Sequence, residues 1–161
     1  MTVNQISVFT PFTKGTQNQL VLASGQFLFP GDCQIQMYSL GNQTLDATPT
    51  SLLTDVTVPT SKIILKNYQS VGFQVFIWAR ASISGDSAFF RLSGMIKRGA
   101  NAASTVMVDP ENNINFANDA AWSCDAVADT TNGALDITVT GAAGTFINWA
   151  ANVTTYEVIA Q

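Results

Sequence analysis

The chain has 161 residues and a mass of 17.2 kDa, room for one domain; with 47% apolar and only 11% charged residues, it is neither disordered nor a charged coiled coil. Seven basic residues against eleven acidic ones give a net charge of −4, with no basic run, so a nucleic-acid partner is not expected. No histidine is present, which removes Ser-His-Asp and Cys-His hydrolytic machinery and His-ligated zinc.

Residues 1–30 read as an N-terminal arm with the first short strands, and residues 31–161 as the main domain. Apolar patches at 19–23, 26–29 and 34–40 are separated by Gly25, Pro30, Gly31 and Gly41, which predicts short strands. Residues 41–60 are Thr-rich and hold Pro49 and Pro59, as in a long surface connection with at most one edge strand, long enough for an inter-subunit arm. KIILKNY at 62–68 predicts a strand. VGFQVFIWARA at 71–81 predicts the best core strand, with Val71, Phe73, Val75, Ile77 and Ala79 on one face and Gly72, Gln74, Phe76, Trp78 and Arg80 on the other. A turn at 82–87 leads into a returning strand at 88–98.

A short strand is expected at 104–108. Asp109-Pro110 then opens a loop that runs to Trp122. The segments 133–141 and 145–158 read as a second hairpin across Ala142–Gly144, with an irregularity near Thr154. Helix signals are scarce. Eighteen Thr, twelve Asn and twelve Ser suit half-buried strands and their turns. The fold expected is all-β, an antiparallel sandwich of jelly-roll type.

Chemistry-bearing patterns are sparse. Cys33 and Cys124 have no CxxC spacing and read as buried thiols. The densest acids, Asp109, Glu111, Asp119, Asp125 and Asp129, match no EF-hand loop, so neither a metal nor another cofactor is expected. Trp78 and Trp149 lie in the most apolar strands and are expected in the core. Trp122, beside a loop, is the better platform for a sugar ring, with Asn113 and Asn115 of the Asn-rich segment as neighbouring contacts. Arg91, on the strong hairpin, is expected to salt-bridge across a sheet or subunit boundary, as an interface contact. No enzyme activity is expected. The opening MTVNQISVFTPF has neither the basic nor the apolar part of a signal peptide, so folding in the cytoplasm is expected. The longest strongly apolar window, 75–79, is far below the roughly 20 residues a bilayer-spanning helix takes, so no membrane partner is expected either.

VGFQVFIWARAS, the returning FFRLSGMIKRG, and GALDITVTGAAGTFINWAANVTTYEV, with its Val-Thr-Gly turn and central Trp-Ala pair, mark the half of the chain from about residue 69 to 158. This half resembles a β-module of tailed-bacteriophage virion surface proteins. The resemblance implies a β-sandwich in fibres, spikes or capsid-surface proteins, often trimeric. The leading expectation is therefore a virion structural protein assembled in the host bacterial cytoplasm, a homotrimer decorating or cementing the major capsid protein. The low charge fits, because neutral faces are desolvated between subunits at little cost. The alternative is a receptor-binding tip of a fibre or spike that contacts a host surface glycan.

Overall fold

The computed structural model describes residues 19–25 and 33–159, except the side chains at 22–25 and 112–115. Residues 1–18 and 26–32, which hold most of the expected arm and one expected short strand, lie outside the described residues.

Among the described residues ten strands follow along the chain. The first half supplies β1 (Gln19–Gly25), β2 (Cys33–Thr44), β3 (Thr50–Leu52), β4 (Ile63–Ile64) and β5 (Gln69–Ala81). The second half supplies β6 (Ser87–Lys97), β7 (Val106–Ala117), β8 (Ser123–Asp129), β9 (Ala134–Thr140) and β10 (Ile147–Ile159). Six of them form one antiparallel sheet in the order β1-β2-β10-β5-β6-β7, here the large sheet. The small sheet has the order β3-β9-β4, with β8 also paired to β9. The two pack face to face, as expected of a sandwich.

Strict alternation makes the core. Val71, Phe73, Val75, Ile77 and Ala79 of β5 point inward, as the period of two dictates, and meet Phe90, Leu92, Trp149, Ala151 and Val153 of their neighbours. Leu135, Ile137 and Val139 of β9 close the core from the small sheet. The β5–β6 hairpin forms as expected, in unbroken register from Ser70–Lys97 to Arg80–Ser87. Cys124 is buried, which pushes its thiol up to about 12, whereas Cys33 is only half-buried.

Four expectations are corrected. First, β9 and β10 form no hairpin: β10 lies between β2 and β5, so residues 141–146 carry the chain from one sheet to the other. Alternation reveals which face a strand buries but not which strand lies beside it. Second, β10 runs without irregularity to Ile159, and the inward positions beyond Val153 are filled by the buried polar residues Thr155 and Glu157. Third, much of the expected loop after Asp109 belongs to β7, and β8 follows it. Pro110 is tolerated because β7 is an edge strand and takes a bulge there. Opposite that bulge, Gly94 has φ 158°, and a Cβ there would lie 3.0 Å from the Phe73 ring and 3.1 Å from the Asp109 carbonyl oxygen. Fourth, the strand expected at 62–68 shrinks to β4, since Leu65 N–H bonds to Gly133 O and Tyr68 turns at φ 60°.

Candidate functional site: the outward face of the large sheet

The strands that fill the core with one face present the other to solvent. In β5 the outward residues are Gln74, Phe76, Trp78 and Arg80. Register places them in rows across the sheet. One row runs Ala150, Trp78, Phe89, Phe116 through β10, β5, β6 and β7. The row on one side runs Asn148, Arg80, Ser87, and the row on the other runs Asn152, Phe76, Arg91, Asn113. An aromatic stripe thus has amide and guanidinium side chains on both flanks.

The rings hold one another in place. Trp78 and Phe89 lie 5.6 Å apart between centroids and tilted by 38°, and Phe76 stacks on Phe89 at 6.1 Å and 5°. They remain open to solvent: Trp78 is 50% and Phe116 53% exposed. Beside them lies an open depression of about 490 Å³ lined by Trp78, Arg80, Ser87, Phe89, Phe116 and Asn148, with the small Ala150 in its floor. Asn148 is oriented by Gln43, whose Nε2 donates to its Oδ1 at 2.8 Å, and Arg80 Nη1 donates to Ser87 Oγ at 3.3 Å.

Of the residues singled out from the sequence, Arg91 stands on this face, exposed, with Asn113 as its register partner. The side chains of Asn113 and Asn115 lie outside the described residues. Trp122 is corrected: it is 1% exposed, tilted against Trp149 at 5.9 Å, and belongs to the core. Trp149 is buried as expected. Trp78 is not, and with Phe76, Phe89 and Phe116 it forms the site the sequence reading missed. The signal was available, because the period of two already assigns Phe76 and Trp78 to the face that carries Gln74 and Arg80.

Two polar clusters lie elsewhere in the fold. On the small sheet, Lys62 Nζ lies 2.6 Å from Asp136 Oδ2 and 3.0 Å from Asp129 Oδ2. Asp129 also accepts from the backbone N–H groups of Thr131 and Asn132 and from Asn132 Nδ2. Burial opposes ionisation of Asp129, yet the bonds from Asn132 and Lys62 outweigh it and hold the carboxyl well below the usual range. Its acceptor sites are committed to a turn and an ion pair, so this cluster is a structural clamp. Within the core, Glu157, 2% exposed, accepts from the amides of Gln34, Gln36 and Gln69 and from Thr155 Oγ1. Tyr38 donates to Gln36, and burial, aided by the Glu157 charge, pushes its hydroxyl far up. All six members of this cage are buried, at 2% exposure or less, which makes it a core network. The acids read from the sequence as a cluster are dispersed over β7, β8 and the loop between them, and among the described residues no three metal-ligating side chains gather.

No protein-family profile and no curated protein sequence matches the chain. Among solved structures, the tailspike protein gp49 of Acinetobacter baumannii bacteriophage Fri1, a capsular polysaccharide depolymerase, is similar over 88% of this chain and 20% of its own, with 12% identity and a TM-score of 0.49. The tailspike protein of Acinetobacter phage vB_ApiP_P1 is similar over 99% of this chain and 25% of its own, with 12% identity and a TM-score of 0.31. The chain thus spans a fifth to a quarter of the length of these phage proteins. The sequence-based exclusion of enzyme activity is corrected at this point, since the first of the two is an enzyme. Lack of histidine removes particular machineries, but sugar cleavage is commonly run by carboxylates alone.

Proposed function

We propose that this chain is a glycan-binding β-sandwich module of a bacteriophage virion surface protein, of the receptor-binding fibre or spike kind rather than a capsid decoration. The observation that carries the reading is the stripe of exposed Trp78 and Phe116 with half-buried Phe89 between them, flanked by Asn148 and Arg80 on one side and Asn152 and Arg91 on the other. A pyranose ring has an apolar C–H face and a rim of hydroxyls. Stacking the first on the aromatic rings leaves the second within reach of amides and guanidinium groups. A rigid sheet holds both sets in fixed register, which limits the ordering cost on binding.

The test is binding of the chain to an array of bacterial surface glycans, repeated with Trp78→Ala. Binding by the parent chain that is lost in the variant, with an unchanged circular dichroism spectrum, supports the reading; equal binding by both overturns it. Homotrimeric assembly on the virion belongs to the same proposal, and native mass measurement tests it: a mass of three chains is the expected result and a single-chain mass overturns that part.

A further inference from the structure

The outward face of the large sheet is basic in a chain that is acidic overall. Three of the seven basic residues, Arg80, Arg91 and Lys97, are exposed at outward positions of β5 and β6. Among the described residues neither arginine makes an ion pair. Arg80 uses one nitrogen on Ser87, and among the described residues no other side-chain partner meets it or Arg91. The nearest carboxylate in register, Glu111, is one row beyond Arg91 and accepts from Ser93.

Their placement relative to the rings is specific. Arg80 precedes the paired Trp78 and Phe89 by one row, and Arg91 follows it by one row on the adjacent strand. At roughly 3.3 Å per residue the two guanidinium-bearing positions stand about 13 Å apart along the strands, with the aromatic pair between them. A sugar chain stacked on the rings meets a cation on each side. Guanidinium presents a planar fork that matches a carboxylate in two parallel hydrogen bonds, which ammonium does not.

We propose that the ligand of this face is an anionic glycan, a polymer carrying carboxylates such as those of uronic or sialic acids, seated against Arg80 and Arg91. This rests on the glycan-binding reading above. A second copy of the chain is the competing occupant, but of the three acids on the small sheet Asp129 and Asp136 already share Lys62, which leaves the exposed Asp125 alone to meet two arginines.

The experiment measures affinities of the full chain for oligosaccharides of polygalacturonate, hyaluronate and polysialate, each beside its carboxyl-reduced counterpart. The parent is expected to prefer at least one acidic member by about tenfold, the Arg80→Gln/Arg91→Gln double variant to lose that preference, and Trp78→Ala to lose binding of both forms. The preference should also shrink as salt is raised, because both arginines are exposed. Equal binding of acidic and reduced forms, or a preference that survives in the double variant, overturns the anionic assignment and leaves the glycan reading standing. If the folded parent binds no member, both fall. Concentration-dependent self-association lost in Trp78→Ala, without glycan binding, would assign the face to a second copy and overturn both as well.

Discussion

The outward faces of the two sheets solve the same problem in opposite ways. On the small sheet the charged groups around Lys62 find their partners within the chain: two aspartates close on its ammonium, and Ser51 and the turn residue Asn132 donate to those aspartates. On the large sheet the rings touch one another, but among the described residues nothing covers the face and its arginines make no ion pair. The first arrangement spends its polar groups on holding the fold. The second leaves apolar area and charge unspent, the condition under which an exposed patch signals a binding surface. Stability should therefore depend on the first face and binding on the second.

The largest effect expected is that of Lys62→Met. The substitution leaves Asp136, buried with one carboxylate oxygen already lacking a partner, without its counter-charge, and breaking such a pair costs about 3 kcal/mol. Urea unfolding should show the loss as a lower midpoint with an unchanged slope. An unchanged midpoint would mean that the clamp contributes nothing. Next comes Trp78→Ala, which should weaken glycan binding by about 2 kcal/mol while lowering stability by less than about 1 kcal/mol, since the ring is half exposed and packs against the rings of Phe76 and Phe89. A loss of stability larger than the loss of binding would put Trp78 with the structural residues and erase the contrast between the faces.

How far the sequence alone could take this contrast depends on what periodicity measures. The period of two correctly sorted β5 into an inward set led by Val75 and Ile77 and an outward set holding Phe76 and Trp78. Composition then misled, because an aromatic residue inside an apolar strand reads as core whichever face it occupies. Trp122 erred in the other direction: loop position argued for exposure, but the segment after β7 turns in through the Trp122 N–H to Asp119 O bond and drops the indole onto Trp149. The rows of the site were out of reach for a different reason. They join residues from β10, β5, β6 and β7, and only strand order and register, which are long-range, bring Asn148 beside Arg80 or Asn113 beside Arg91. The Lys62 clamp likewise unites positions 62, 129 and 136 through the pairing of β9 with β4 and β8.

A smaller effect separates the faces by pH. Asp129 titrates in the folded chain below its ordinary value of 3.8, so its contribution is present above that value and is lost as the pH falls toward the folded pKa. Lys62 is held above its ordinary 10.5: burial works against this, but the bonds and charges of Asp136 and Asp129 outweigh it, so its contribution is complete below 10.5 and is lost only as the pH rises through the folded value. Unfolding free energy should therefore decline below about pH 4 in the parent and decline less in Lys62→Met; parallel acid limbs in the two proteins would show that the clamp is not what acid breaks.

The smallest effect is the sharpest check on the open face. Arg91→Gln removes a charge that has no ion-pair partner among the described residues and stands exposed beside Phe76 and Phe89, so the unfolding midpoint should shift by no more than about 0.5 kcal/mol in equivalent stability. A clear destabilisation would reveal that Arg91 is tied into the sheet and is spent in the same way as Lys62. A near-zero shift, coupled to weaker binding of an acidic glycan, separates a side chain that serves a ligand from one that serves the fold.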